Sequence, residues 1–117
     1  MKEHIYVVMI GSTQYRDKML AHQQELENEG YKVSMPSFDD ASGMDELDIC
    51  KRNRMLIEES DEVHLFWDGR SVGTVLDFGM AFALRKVVKI IYLEPKTIAG
   101  VMRKYEDEKG REKQCQR

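Results

Sequence analysis

The sequence predicts a single α/β domain, in which a parallel sheet lies between layers of helices. Four short apolar runs, typical of buried strands, alternate along the 117 residues with four longer runs of helical character. The connections between these runs are short, and strands that alternate with helices in this way pair in parallel. We therefore expect a three-layer, Rossmann- or flavodoxin-like fold with four to five strands.

The strands are predicted from their large apolar residues and from the turn residues that stop them. The third run has Val63, Leu65 and Trp67 on one side and equally large residues on the other. It stops at Asp68-Gly69, so it is typical of a short strand that is buried on both faces. The four predicted strands cover residues 5–10, 31–35, 63–67 and 86–93.

The helices are predicted from apolar residues that recur about 100° apart around an axis. In the first helix Met19, Leu20, Gln23 and Leu26 share one side, and Gly30 is placed as the C-cap. The four predicted helices cover about residues 17–29, 45–60, 74–86 and 95–108. The residues expected to face inward in the second and last helices are Leu47, Ile49, Cys50, Leu56, Ile57, Ile98, Val101 and Met102.

The composition bounds the domain and its partners. We expect one domain over residues 1–109 and a charged, flexible tail over residues 110–117, because the tail has nothing apolar to bury. The net charge of -3 argues against binding to a nucleic-acid polymer, whose binders usually present a basic face. No apolar run approaches the ~20 residues that cross a bilayer, so no membrane association is expected.

The cysteines and histidines predict neither a disulfide framework nor a metal site. Cys50 falls in a helical pattern and Cys115 in the charged tail, so both are expected to be reduced thiols in a cytoplasmic protein. Too few Cys and His residues occur in ligand spacing to predict zinc. No cofactor is expected.

A ligand site is predicted at the carboxyl edge of the sheet. In parallel α/β folds, ligands bind at this edge, where the strand order reverses. Right-handed crossovers place the strand ends Gly11, Pro36 and Asp68 along it. The site should therefore be formed by three segments, Gly11-Ser12-Thr13, PSFDD (36–40) and DGRSVGT (68–74).

The helix after this last segment carries the residues that point most directly to a site. Asp77 lies one turn into an otherwise apolar helix, and a buried unpaired carboxylate costs several kcal/mol. It either lines a pocket or has a structural partner near the helix N-terminus. Gly79, which costs about 1 kcal/mol relative to Ala in a helix, indicates a close approach by a backbone or a ligand. Ser71 and Thr74 either hold a phosphate or a sugar hydroxyl, or cap the helix.

Each of the other candidate site residues has two interpretations. Asn53 shares a helix face with apolar residues and is either a site group or a satisfied core amide. His64 is more typical of a core histidine than of a catalyst. Trp67 either stacks on a base or belongs to the core. Asp39 and Asp40 could bind ribose hydroxyls, although acidic loops are usually only solvated.

The pattern Ser71-x-Gly73-x-x-x-Asp77-x-Gly79, followed by Ala81, resembles the active-site helix of the nucleoside 2-deoxyribosyltransferase family, which includes deoxynucleoside 5′-monophosphate N-glycosidases. The segment IGSTQYRD resembles the family's first strand and loop, and ESDEVHLFWDG resembles the strand before the active-site helix. The similarity covers roughly residues 4–94. DEVHLFWDGRSVGT also resembles the SLOG superfamily of nucleotide-related sensors and hydrolases, whose fold is similar.

The resemblance implies cleavage or transfer of the N-glycosidic bond of a 2′-deoxynucleoside or its 5′-monophosphate. Asp77 stands where the family has its glutamate nucleophile, and Asn53 stands near an assisting aspartate. Ser71 resembles a serine that contacts the 5′-phosphate, and a homodimer or higher homo-oligomer is implied. The implied substrate-binding residues are Gly11, Ser12, Thr13, Asp39, Asp68, Ser71, Gly73 and Thr74. The alternative is a non-catalytic, SLOG-like module that binds or senses a nucleotide-derived ligand.

Overall fold

The computed structural model describes residues 4–35, 45–93 and 99–114, so the segment that contains Asp39 lies outside the described ranges. The predicted order of strands and helices is confirmed. The strands are β1 (Tyr6–Gly11), β2 (Lys32–Ser34), β3 (Glu62–Trp67) and β4 (Val87–Leu93). The helices are α1 (Arg16–Asn28), α2 (Glu46–Glu59), α3 (Val72–Ala83) and α4 (Ala99–Gln114), and a short 3-10 helix covers Thr13–Tyr15.

Helix α4 is longer than the sequence pattern indicates. It extends to Gln114, whereas the predicted helix ends at about Glu108. The helix therefore includes the first five residues of the segment expected to be a flexible tail, residues 110–114. The physical reason is that Arg, Glu, Lys and Gln are good helix formers even where no apolar side chain is buried.

The four described strands form one parallel sheet in the order β2-β1-β3-β4. The chain passes from β1 to β2 on one side and then returns to add β3 on the other side of β1. The strand order therefore reverses between β1 and β3, where Gly11 pairs with Phe66 at the carboxyl edge. This is the α/β architecture that the sequence predicts, and its crevice lies between these two strand ends.

Apolar side chains cover both faces of the sheet. Met9 and Phe66 pack with Tyr15 and Met19 on the face of α1. The residues of the larger cluster, on the face of α2, α3 and α4, are Val8, Ile10, Leu56, Ile57, Val63, Leu65, Trp67, Phe78, Ala81, Val88, Met102 and Tyr105. The sheet is thus the middle of three layers, and Trp67 is a core residue.

Three residues expected to face inward are exposed instead. Leu20, Leu47 and Val101 have exposed fractions of 47%, 62% and 56%. Each lies one or two positions from a side chain that does reach the core, namely Met19, Ile49 or Met102 (Met102 is fully buried). The contact stripe of each helix is therefore narrower than its apolar pattern indicates.

His64 is buried on the α1 face of the sheet, as expected for a core histidine. Its Nδ1 lies 2.9 Å from Nε2 of His22, and its Nε2 lies 3.0 Å from Oε1 of Glu62. Burial lowers the pKa of His64, against the opposing effect of the hydrogen bond that its ring donates to Glu62. Nδ1 thus connects the sheet to α1 through His22, while Nε2 bonds to a neighbour on the same strand, β3.

Lys86 joins the start of β4 to the end of α2. Its Nζ donates to the carbonyl oxygens of Glu58 (2.7 Å) and Ser60 (2.8 Å), which lie at the helix C-terminus. We expect Lys86→Met to reduce the free energy of unfolding by about 1–2 kcal/mol, because both charged hydrogen bonds are lost. Urea denaturation measures the change. Lys51→Met, on the exposed face of α2, is the matched control and should change it by less than about 0.5 kcal/mol.

Candidate functional site

A cavity of about 520 Å³ opens at the carboxyl edge of the sheet, at the reversal between β1 and β3. Its volume is within the range of small-molecule sites, about 300–1,000 Å³. The walls come from the end of β1, from α2, and from the loop and first turns of α3. The lining residues are Gly11, Thr13, Glu46, Ile49, Cys50, Asn53, Ser71, Val72, Gly73, Thr74, Leu76 and Asp77.

Asp77 and Asn53 form the polar centre of this cavity. Both are buried, with exposed fractions of 7% and 5%. Nδ2 of Asn53 donates a hydrogen bond of 3.5 Å to Oδ2 of Asp77, so the contact joins α2 to α3. Asn53 is brought there because it shares the inward arc of α2 with Leu56 and Ile57.

The protonation of Asp77 is shifted strongly by its surroundings. Burial raises the pKa of the carboxyl to about 7, and the hydrogen bond from Asn53 offsets only part of this effect. Desolvation disfavours the charged form, while a single long hydrogen bond stabilises it weakly. The carboxyl therefore titrates near neutral pH, which is the range in which a group can change its role between acid and base or nucleophile.

The loop between β3 and α3 is fixed by its own hydrogen bonds. Oδ1 of Asp68 accepts from the amides of Arg70 (2.8 Å) and Ser71 (2.9 Å), and Nε1 of Trp67 donates to the carbonyl of Ser71 (3.0 Å). Oγ of Ser71 accepts from N (3.3 Å) and from Oγ1 (3.0 Å) of Thr74. Ser71 is thus the N-cap of α3, and the loop has a defined shape.

The structure brings together most of the residues that the sequence singles out. Seven line the cavity: Gly11, Thr13, Asn53, Ser71, Gly73, Thr74 and Asp77. Ser12 and Asp68 do not line it: the Ser12 amide donates to the carbonyl of Phe66 (3.2 Å), and Asp68 binds the loop amides. Asp39 lies outside the described residues.

Gly79 does not have the close neighbour that its position in a helix predicts. Apart from its chain neighbours and the adjacent backbone of α3, no described atom lies within 4 Å of the position that a Cβ would occupy there. Gly11 is the glycine with a close approach, since a Cβ at that position would lie 2.6 Å from the carbonyl oxygen of Phe66. The difference arises because Gly79 is on the exposed side of α3, whereas Gly11 is paired inside the sheet.

Sequence reasoning missed four lining residues. Glu46, Ile49 and Cys50 precede Asn53 by seven, four and three positions, so they lie on the same side of α2. This spacing was a usable signal once Asn53 had been placed in the site. The fourth, Leu76, adds to the wall on α3 beside Val72, which falls in the predicted segment 68–74, but its exposed apolar side chain gave no sign of this.

The described ranges contain neither a metal-binding cluster nor a membrane-spanning helix. No group of three or more Cys, His, Asp or Glu residues there has a geometry that could hold a metal ion. None of the helices in the same ranges is both long and apolar enough to span a bilayer.

Among the comparisons with known proteins, the one between structures bears on the fold. No protein-family model and no curated protein sequence matches the chain. A 2-deoxyribosyltransferase from Leishmania mexicana has a similar structure, with a TM-score of 0.63 and 15% sequence identity over 83% of this chain and 70% of that chain. The fold inferred from the motifs is therefore confirmed: this chain has the α/β fold of a deoxyribosyltransferase.

Proposed function

We propose that the cavity binds a 2′-deoxynucleoside or its 5′-monophosphate and that the protein cleaves or transfers its N-glycosidic bond. The observation that carries the proposal is the position of Asp77. Its buried carboxyl lines a 520 Å³ cavity at the switch point of the sheet, 3.5 Å from the amide of Asn53. The similarity in fold to a deoxyribosyltransferase supports the same reaction class.

Asp77 is the proposed nucleophile. Its ionised oxygen forms a bond to C1′ of the sugar while the bond from C1′ to the base nitrogen breaks, and the base leaves with that electron pair. Water or another base then attacks C1′ and releases the carboxylate, as in a retaining glycosidase. Because Asp is one methylene shorter than Glu, the sugar must lie close to α3. Gly73, one turn before Asp77, leaves room for this approach.

Asn53 is the proposed orienting group. Its amide can donate to the carboxylate of Asp77 or to a sugar hydroxyl, but it cannot supply a proton to the leaving base. The proton on the released base therefore comes from solvent or from the substrate. Thr13, Ser71 and Thr74 supply further hydroxyl groups in the cavity wall for the sugar.

Binding without turnover is the second candidate function. It is favoured by the pKa of about 7 for Asp77, because a half-protonated carboxyl is a weaker nucleophile at neutral pH and a better hydrogen-bond donor. A ligand derived from a nucleotide would then be held as a signal, as in SLOG-like modules. The two candidates differ only in whether the bond at C1′ is broken.

We also propose that the protein acts as a homo-oligomer, a homodimer in the simplest case, in the cytoplasm. Val72, Leu76 and Phe82 on α3 are apolar and have exposed fractions of 80%, 49% and 53%. A second copy on this surface would remove them from water and close the cavity mouth at Val72 and Leu76. The free thiol of Cys50 supports a reducing compartment.

The test is a chromatographic assay of free base after incubation with each 2′-deoxynucleoside and each 5′-monophosphate. We expect wild type to release base and Asp77→Ala to lose this activity by about a thousandfold or more, because the nucleophile is removed. We also expect the rate to rise with pH through about 7, where Asp77 ionises.

Asp48→Ala is the control, since Asp48 is an exposed carboxylate on α2 outside the cavity wall. It should retain full activity. Base release that persists in Asp77→Ala would exclude Asp77 as the nucleophile. Thermal stabilisation by a nucleoside or nucleotide without any base release would instead support the binding module.

A further inference from the structure

The charge of the cavity wall bears on which substrate it accepts. The described residues that line the cavity include two acids, Glu46 and Asp77, and no Lys or Arg. A 5′-phosphate adds a charge of about −1.5 to −2 at neutral pH. Such a group would meet carboxylates without a cationic partner from these residues.

We propose that the site selects an uncharged 2′-deoxynucleoside over its 5′-monophosphate, and that Glu46 is the residue that determines this specificity. The proposal rests on the proposed function for the identity of the ligand. It differs from the sequence-based expectation that Ser71 contacts a 5′-phosphate. Three observations carry it, namely the hydrogen bonds of Asp68, those of Ser71, and the position of Glu46.

Asp68 already occupies loop amides that could otherwise bind a phosphate. Its Oδ1 accepts from the amides of Arg70 and Ser71, directly before the N-terminus of α3. Although burial alone would raise the pKa of Asp68, these amide hydrogen bonds keep it below its usual value. The loop therefore holds an ionised carboxylate of its own. A phosphate at the same helix end would be repelled by it, despite the favourable dipole.

The hydroxyl of Ser71 is committed to the helix cap. It accepts from both the amide and the hydroxyl of Thr74. It can still donate one hydrogen bond, which suits a neutral sugar hydroxyl or ring oxygen. A phosphate dianion is normally held by several donors and a cation. The one donor left on Ser71 does not replace the cation, which the described lining residues lack.

Glu46 is the first residue of α2 and faces the same cavity as Ser71 and Gly73. A sphere of 520 Å³ is about 10 Å across, slightly more than the ~8 Å Debye length at physiological ionic strength. The Glu46 carboxylate therefore acts most strongly on a charged substituent that lies on the α2 side of the cavity. It repels a 5′-phosphate, whereas it can accept a hydrogen bond from a neutral ligand.

The experiment measures binding rather than turnover, so that it does not depend on catalysis. Isothermal titration calorimetry compares each 2′-deoxynucleoside with its 5′-monophosphate on the full chain carrying Asp77→Asn. We expect the nucleoside to bind at least about tenfold more tightly. Adding Glu46→Lys should raise the affinity for the monophosphate by about tenfold or more, with a smaller gain for Glu46→Gln, because a like charge is first removed and then reversed.

Glu59→Lys is the matched control, since Glu59 is an exposed acid at the other end of α2 and does not line the cavity. It should leave both affinities unchanged, and high salt should reduce the discrimination by wild-type Glu46. Equal or tighter binding of the monophosphate, or no gain from Glu46→Lys, would overturn the proposal. Failure of both ligands to bind would also overturn it.

The titrations, together with the assay of base release by wild type, distinguish this proposal from the proposed function. If the nucleoside binds preferentially and Glu46→Lys shifts the preference, but wild type releases no base, the specificity holds and the catalytic proposal fails. If wild type releases base faster from the monophosphate than from the nucleoside, the catalytic proposal holds and the specificity fails. The specificity proposal and the catalytic proposal can therefore fail separately.

Discussion

Replacing Asp77 with Asn is expected to make the protein more stable at alkaline pH, by on the order of 4 kcal/mol. Burial holds the pKa of Asp77 at about 7 in the folded chain, against 3.8 for an ordinary aspartate. Asn has nearly the same shape, is never charged, and can still accept the hydrogen bond from Asn53. The variant therefore removes a desolvated charge without creating a cavity.

The pH dependence gives the sign of this effect. Between about 3.8 and about 7 the folded chain holds a proton on Asp77 that the unfolded chain has released, so the stability of wild type falls as pH rises. The advantage of Asp77→Asn should thus be smallest near pH 4, grow up to about pH 7 and stay constant above it. Guanidinium unfolding of both proteins from pH 4.5 to 9 measures the difference. The slopes due to His22 and His64 cancel in the comparison.

Asp68→Asn is the matched control because it makes the same substitution in a carboxylate with the opposite environment. Asp68 accepts two backbone amides, and its pKa lies below its usual value. The ionised Asp68 carboxylate stabilises the folded state at neutral pH, and this stabilisation is lost as pH falls. Asp68→Asn should therefore destabilise the protein at pH 7. For Asp77 itself, if the free energies of unfolding of wild type and Asp77→Asn change in parallel from pH 4.5 to 9, then Asp77 is an ordinary, hydrated carboxylate.

The features of the fold that could be predicted are those encoded locally. The short run of large residues in β3 and the helical periodicity in α2 depend on neighbours in sequence, so their type and order were predictable. Asp77 was recognisable as a site candidate for the same reason, since it is the lone carboxylate in an apolar helix. Its partner Asn53 was more ambiguous, because an inward amide serves a core and a site equally well.

The features that could not be predicted depend on contacts between distant segments. Ser71 had two interpretations in the sequence, a ligand group or a helix cap, and only its hydrogen bonds with Thr74 show that it caps α3. The bonds from the loop amides to Asp68 had no signal in the sequence. Glu46 was not singled out, because its spacing from Asn53 indicates a place in the cavity only once Asn53 is known to face Asp77 on α3. The sequence therefore shows which side chains could act in a site, but not which contacts each of them makes in the fold.

Gly11, in the cavity wall, and Gly79, on the exposed side of α3, show this limit most clearly, and Gly11 gives the second large prediction. Gly11→Ala should reduce the free energy of unfolding by about 3 kcal/mol. A Cβ at this position would lie 2.6 Å from the carbonyl oxygen of Phe66, 2.9 Å from its Cβ and 3.0 Å from Cε of Met19. Met19 can rotate away, but the Phe66 backbone cannot move without separating β1 from β3.

This separation would occur at the place where both strands end at the cavity. The hydrogen bond from the Ser12 amide to the carbonyl of Phe66 (3.2 Å) would be weakened at the same time. We therefore expect Gly11→Ala to lower the melting temperature by on the order of 10 °C and to weaken nucleoside binding. Calorimetric melting and titration of the same sample measure both effects.

Gly79→Ala is the control, because the same methyl group is added where no described atom beyond its chain neighbours and the adjacent α3 backbone lies within 4 Å. It should stabilise the protein by about 0.5–1 kcal/mol, since Ala is the better helix former. If Gly79→Ala instead destabilises the protein or blocks binding, a ligand or a second copy must pass close to that face of α3. If Gly11→Ala is neutral, β1 and β3 are not held as tightly at the switch point as their geometry requires, and the cavity wall there is adjustable.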